Sequence, residues 1–394
     1  MTATRATQSD SAGLSGTALG GRIVIVIPGL SAGGTEHVVS LLANHWAACG
    51  YAVTIVTLEA RDKRPYYALR SDIRIKRLGI PPKKMGKLEA AVAISKRIIR
   101  LRSAIRQADP AFVLSFLTRT NVLTLIAMVG SRIPVAVSER NNPDAQTFGR
   151  VWRLLRGWLY PRAFCLVTMT AGALAHFSDE IRRNGRIIPN AVDLPAAWTN
   201  RRAGGTLTAV GRLTHQKGFD LLLHAFAKVA DRHREWKLVI WGEGEERGPL
   251  EALCSRLGLD KRVEMPGLTA VPGQWVETAD VFVLSSRYEG WGIVLLEAMA
   301  AGIPVVSYNC NWGPGEMVTH AYDGLLVEPE SVDELANALD LTLGDSSLRE
   351  SLAMNAISSA KRYSPERVFQ AWDGLVVSGV AASPRPRTKR GGGK

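Results

Sequence analysis

Cysteine is scarce in this 394-residue chain, and Cys49, Cys165, Cys254 and Cys310 stand far apart with no C-x-x-C pair among them. That pattern excludes a disulfide framework and a cysteine-based zinc site, and it fits a reducing cytoplasm. No run of about 18 apolar residues occurs, so no membrane span is expected and any membrane contact is peripheral. The first twenty residues are rich in Ala, Gly, Ser and Thr and lack the apolar core of a secretory signal. The seven histidines are scattered, and neither a D-x-D pair nor a His/Asp cluster at ligand spacing appears. The expectation is therefore no metal site and no cofactor.

What is present is an ordinary globular composition, 46% hydrophobic and 22% charged. At about 150 residues per domain, the chain is long enough for two substantial ones. The formal charge of +13 is unevenly spread: residues 1–200 carry 27 basic and 12 acidic side chains, whereas the remainder is close to neutral. The first half therefore attracts anions. The stretch SPRPRTKRGGGK, Ser383–Lys394, is basic and rich in Pro and Gly, a composition that cannot bury a core.

From Arg22 onward, short β-branched runs alternate with longer helical patterns, the signature of parallel sheets covered by helices. Strands are expected at Ile23–Ile27, Ala52–Leu58, Ile73–Leu78, Val113–Ser115, Val135–Ser138 and Cys165–Thr168, giving a first doubly wound domain over residues 21–190. A second series, Leu207–Val210, Lys237–Trp241, Val263–Met265, Val281–Leu284 and Val305–Ser307, gives a second domain over residues 204–363. Residues 1–20 are expected to be disordered, 364–380 to form a helix able to cross back to the first domain, and 381–394 to be a disordered basic tail. Ser331 with Glu334 reads as a capping box, and Ser364-Pro365 as the start of the last helix.

In sheets of this kind ligands bind outside the carboxyl ends of the strands, where helix N-termini point at the crevice. Two segments expected there carry charge. In VGRLTHQKGF (210–219), Arg212 and Lys217 lie about a turn apart beside a helix start, so two cations and several amides can converge on a diphosphate. In SRYEGWGIVLLEAM (286–299), Glu289 and Glu297 bracket Gly290 and Gly292. The two carboxylates can hold hydroxyl groups while the glycine backbone receives a phosphate; the alternative is an acidic first turn that only caps the helix. Neither 211–218 nor the loop Gly29–Gly34 has the G-x-G-x-x-G spacing with an acidic residue about twenty positions on, so a dehydrogenase fingerprint is excluded.

Other residues keep two readings. His37 and His215 either face the crevice or are structural, and Glu139 and Arg140 in SERNNP (138–143) either face it or pair with each other on its rim. Lys83–Arg106 combines eight basic residues with Leu88, Val92, Ile98, Ile99, Leu101 and Ile105. It reads as a basic amphipathic helix for an anionic membrane, or as a core helix with a solvated face. Trp152, Trp158 and Tyr160 beside Arg150, Arg153 and Arg156 carry the same two readings.

The motifs G-R-L-x-x-Q-K-G (211–218), E-G-W-G-x-x-x-x-E-A-M-A-x-G-x-P-V-V (289–306) and G-G-x-E (33–36) together resemble the retaining, nucleotide-sugar-dependent glycosyltransferases of family four. The resemblance implies an α/β fold of GT-B architecture, two Rossmann-like doubly wound domains facing each other across a cleft, with the donor held by the second. It implies a catalytic set of Arg212, Lys217 and Glu289, the two cations neutralising the donor diphosphate and Glu289 holding the sugar with the backbone of Gly290, Trp291 and Gly292. Glu297 would bind the ribose, and Gly33 and Gly34 would let the first domain approach the donor. SFLTRTN (115–121) stands where many family members carry a histidine or aspartate, so no catalytic base is assigned.

The activity so implied is a metal-independent transfer to a lipid-linked saccharide acceptor in cell-surface polysaccharide or lipopolysaccharide biosynthesis. The donor is expected to be a UDP-hexose or UDP-N-acetylhexosamine first, GDP-mannose next. The protein would act in the cytoplasm, peripherally associated with the inner face of the membrane through its basic first domain. A nucleotide-sugar epimerase of the same fold is the alternative, which the E-x7-E pattern disfavours. A nucleic-acid binder using the basic half is another, but it lacks the aromatic interleaving such a module requires.

Overall fold

A computed structural model describes residues 21–80, 86–142, 149–192, 204–271 and 273–383. The expected disordered segment 1–20, Lys83 and Lys84, and the tail from residue 384 lie outside the described residues.

The first sheet comprises β1 (Arg22–Ile27), β2 (Ala52–Thr57), β3 (Arg74–Arg77), β4 (Phe112–Phe116), β5 (Val135–Ser138), β6 (Cys165–Thr168) and β7 (Gly185–Ile187), in the order β3-β2-β1-β4-β5-β6-β7. The second comprises β8 (Thr206–Val210), β9 (Lys237–Trp241), β10 (Val263–Gly267), β11 (Val281–Leu284), β12 (Val305–Tyr308) and β13 (Leu325–Val327), in the order β10-β9-β8-β11-β12-β13. All strand pairs are parallel. Helices cover both faces, which is why IVIVI at 23–27 is a continuous apolar run with no alternation: every residue of it is fully buried. β7 and β13 have no counterpart among the sequence expectations. Each is a three-residue edge strand, too short for periodicity to reveal, and Arg186 and Ile187 of β7 are exposed.

Strand order reverses between β1 and β4 in the first sheet and between β8 and β11 in the second, so each sheet has one topological switch point. The loops after those strands diverge to opposite faces and leave a crevice there. After β1 runs the glycine loop that opens the helix Gly34–Ala48; after β8 and β11 run the two charged motifs. Sheet topology thus places the motif-bearing loops where a ligand fits.

The last helix, Pro365–Ala382, leaves the second sheet and puts Val368, Trp372, Leu375 and Val376 into the core of the first, beside Trp46 and Phe112. Gly379 lies directly against the Phe112 ring, with no room for a Cβ. Asp373 adds polar fixation, accepting from Trp46 Nε1 at 2.9 Å and lying 3.0 Å from His45 Nε2. Where the chain passes between the units its two crossings run together, Val192 N–H donating to Tyr363 O at 3.1 Å. Pro365 fits the first helical position because an N–H there has no intrahelical partner, while the Ser364 side chain at the cap position bonds the Glu366 carboxylate and not a helix N–H. The capping box at residue 331 is half formed: Ser331 Oγ accepts from Glu334 N–H, but the Glu334 carboxylate accepts from Glu328 N–H instead.

Candidate active site

The two charged motifs are laced together across the switch point of the second sheet. Gly218, at φ +61°, starts the helix Phe219–Val229 and abuts the carbonyl of Ser285, a position no other residue could occupy without displacing backbone. Ser285 Oγ donates to Lys217 O at 2.9 Å, Arg287 N–H to Gln216 O at 2.9 Å, and Gln216 Nε2 to Tyr288 O at 3.0 Å. Arg287 pairs with Asp220 and Glu330 and binds His215 O, so it is a structural staple and not a ligand group. Within this frame Lys217 Nζ lies 2.6 Å from Glu289 Oε1, which also accepts from Ser286 Oγ at 2.7 Å. Both partners are largely shielded from water, with side chains 14% and 8% exposed, so the pair is rigid. Arg212 is exposed at the mouth, and His215 is exposed on the short turn His215–Lys217.

Gly292, at φ +88°, starts the helix Ile293–Ala300 and places Glu297 one turn further in. Its carboxyl receives a bond from Trp275 but has no close cation among the described residues. The nearest, His37 Nδ1, is 3.8 Å away, and burial lowers the pKa of that imidazole to about 4, leaving it neutral at physiological pH. Desolvation therefore dominates and pushes Glu297 up to about 7. His37 stacks on Tyr67 at 4.7 Å between ring centres, which fixes its ring beside the cleft.

The first unit closes the site from the opposite side. Gly33 and Gly34 start the helix Gly34–Ala48; a Cβ on Gly33 would strike the Glu36 carboxylate, and one on Gly34 would press on Ile293 of the second unit. Glu59 holds this loop by accepting from Leu30 N–H at 3.1 Å while facing Arg77 at 3.3 Å. Glu139 and Arg140 do not pair. Glu139 turns inward to Thr118 and Tyr160, where burial raises its pKa. Arg140 bonds Ser138 Oγ and Asn190 Oδ1 beneath the cleft, its guanidinium 5.1 Å from the Trp372 ring centre, and burial lowers its pKa to about 9. The two units touch at Gly290, where a Cβ would lie 2.5 Å from Arg140 O, and at Tyr66, whose hydroxyl donates to Thr269 O at 3.2 Å.

Between the units lies a cleft of about 390 Å³. Gly33, Gly34, Arg212, Lys217, Glu289, Gly290, Trp291, Gly292 and Glu297 all line it. Trp291 is almost wholly buried, its ring edge-on to Tyr363. Tyr66, Tyr67, Arg140, Asn190, Trp241 and Trp275 line it too and were not singled out as site residues by sequence motif. Of these only Arg140, in the SERNNP segment after β5, carries a sequence signal; Trp241 ends β9, and Tyr66, Tyr67, Asn190 and Trp275 lie in segments without a motif. Among the described residues no group of three or more His, Cys, Asp or Glu side chains is placed to hold a metal. Chemically the cleft offers cations and glycine amides for a diphosphate, buried carboxyls for hydroxyl groups, and aromatic walls for a planar ring.

Residues 198–359 match the family described as glycosyl transferases group 1, and residues 33–193 match the glycosyl transferase 4-like domain. The chain therefore belongs to the family-four glycosyltransferases of GT-B fold. It is 27% identical over 351 residues to an uncharacterized glycosyltransferase of Haemophilus influenzae, covering 88% of this chain and 97% of that one. It is 26% identical to the amylovoran biosynthesis glycosyltransferase AmsD of Erwinia amylovora, covering 90% and 99%. It is also 26% identical to a Campylobacter jejuni α-1,4-N-acetyl-D-galactosaminyltransferase named for an undecaprenol-diphosphate-linked saccharide, covering 90% and 98%. In fold it is similar to sucrose-phosphate synthase of Thermosynechococcus elongatus, with TM-score 0.78, 21% identity and coverage of 92% and 100%. It is likewise similar to Anabaena HepE in complex with UDP and glucose, with TM-score 0.73, 19% identity and coverage of 91% and 100%.

Proposed function

We propose that this glycosyltransferase is retaining and metal-independent, and that it transfers one sugar from a nucleoside diphosphate sugar to a lipid-linked saccharide in cell-surface polysaccharide or lipopolysaccharide assembly. A UDP-hexose or UDP-N-acetylhexosamine is the favoured donor, with GDP-mannose next. The observation that carries this reading is the convergence of Arg212, Lys217, Glu289 and Glu297 with two glycine-rich backbones on one cleft between the units. The names of the Erwinia and Campylobacter relatives support the pathway and the lipid-linked acceptor, and UDP in the HepE complex supports the donor class.

Departure of the nucleoside diphosphate puts negative charge on its phosphate oxygens and positive charge on the sugar ring. Fixed cations and amides at the phosphates act on the charge that grows, and Lys217 is already immobilised by Glu289, so little reorganisation is needed. Lys217 Nζ and Ser286 Oγ both bond Oε1 of Glu289, which leaves Oε2 to accept from a sugar hydroxyl. Glu297 accepts from the ribose hydroxyls. The acceptor hydroxyl attacks on the face from which the diphosphate leaves and gives its proton to a departing phosphate oxygen, so configuration is retained and no protein base is required.

Calorimetric titration with UDP and then GDP, in EDTA, tests this reading. Binding of one nucleotide without metal is the expected result; a folded protein that binds neither overturns it.

A further inference from the structure

We infer that the helix Arg150–Leu159 docks the protein on an anionic lipid surface through an exposed apolar strip, an inference that rests on the reading of the acceptor as lipid-linked. In RVWRLLRGWL, Val151, Leu154 and Trp158 recur at i, i+3 and i+7 and are 66%, 72% and 59% exposed. Trp152, Leu155 and Leu159 turn the other way, into the core of the first unit. The helix is therefore anchored by one apolar face and presents a second to water, which is unfavourable unless something covers it.

Charge identifies the cover. The helix contains no acidic residue, and Arg150 and Arg153 are exposed beside the strip without an ion pair among the described residues. Arg162 sits 4.2 Å from the Trp158 ring centre, adding a cation at the end of the strip. Arginines flanking Trp and Leu on an exposed helix suit the boundary between anionic headgroups and acyl chains. The helix Lys87–Ala108, separated from it by the helix Thr118–Ala127, also exposes Val92 and Ile99, by 48% and 67%, with exposed Lys96 between them. Much of its remaining basic character is internal: Arg97, Arg100 and Arg102 donate to the carbonyls of Ile80, Leu78 and Ala127. The described cations of the basic segment are thus largely tied to backbone carbonyls, and the strip at 151–158 is the docking centre.

Chain direction supplies the orientation. β5 ends at the cleft, where Arg140 lines it, and the helix Arg150–Leu159 must return along the sheet so that β6 can start parallel to β5. Val151 and Leu154 consequently lie toward the cleft end of the helix. A bilayer on this strip lies along the outer face of the first unit and extends toward its cleft end, which brings membrane-held acceptors to that end.

The test is co-sedimentation of the full chain with vesicles of equimolar phosphatidylglycerol and phosphatidylcholine, and with phosphatidylcholine alone. Wild type is expected to bind the anionic vesicles, less so as salt rises. Leu154→Asp with Trp158→Ala should cut partitioning at least about tenfold, and Arg150→Gln with Arg153→Gln about thirty-fold. UDP affinity and circular dichroism should stay unchanged, since these side chains face away from core and cleft. Wild type that fails to bind, or an apolar double variant that partitions like wild type, overturns the proposal. So does a strip whose replacement changes only the oligomeric state, for it would then cover a second copy. Loss of UDP binding by wild type would refute the donor reading and leave the vesicle result standing.

Discussion

Replacing Glu297 by glutamine isolates the most perturbed carboxyl in the cleft. In the folded protein it holds its proton to about pH 7, whereas in the unfolded chain it releases it near the ordinary value of 4.5. The folded state therefore binds more protons between those values, and the stability of the ligand-free protein falls as pH rises through that window. At 1.36 kcal/mol per unit the loss amounts to about 3 kcal/mol, complete above pH 7. Glu297→Gln keeps the shape, removes the ionisation, and should be more stable than wild type by up to about that amount at pH 8, with little difference near pH 4. Urea denaturation across the range measures this directly.

Binding follows the opposite sign. On the proposed reading ribose hydroxyls donate to the ionised carboxylate, so wild-type affinity for UDP-glucose should weaken about tenfold from pH 8 to pH 6. A sugar nucleotide is the right probe because its diphosphate is esterified at both ends and lacks the phosphate step near pH 6 that UDP itself carries. Calorimetry in two buffers of different ionisation enthalpy should detect proton release on binding near pH 7, and the glutamine variant should bind weakly with a flat profile. A wild-type affinity independent of pH, or the same profile in both proteins, would refute the reasoning.

Two other substitutions test the frame of the site. Lys217→Ala leaves Glu289 shielded from water without its cation, which should cost about 3 kcal/mol in urea unfolding and slow transfer about a hundredfold; an unchanged turnover removes Lys217 from the catalytic set. Gly290→Ala forces a methyl against Arg140 O and Asn141 Cα, so the two units cannot approach as closely. Turnover at saturating substrate should drop about a hundredfold with circular dichroism unaltered, and full activity would show that this approach is unimportant.

The charged motifs were legible because each is local: strand, glycine turn and helix start follow one another within about ten residues, and the backbone demands of such a turn limit which residues fit. The alternation that marks two parallel sheets is equally local. Pairing is not. Lys217 and Glu289 meet across 72 positions because β8 and β11 are neighbours at a switch point, a fact of sheet order that neither motif contains. Tyr66 and Trp275 reach the site from segments whose own sequences carry no recognisable pattern, and Arg140 and Glu139, adjacent in the chain, point to opposite environments because successive residues leaving a strand face opposite sides. The sequence by itself determined the fold class, which rests on periodicity and turn chemistry, and the family, which rests on the resemblance carried by the motifs at 33–36, 211–218 and 289–306. Only the tertiary structure decided that Glu297 is buried without a counter-charge among the described residues, and that Val151, Leu154 and Trp158 stand in water while Trp152, Leu155 and Leu159 do not. Apolar spacing defines the faces of a helix, and which face is buried depends on what packs against it.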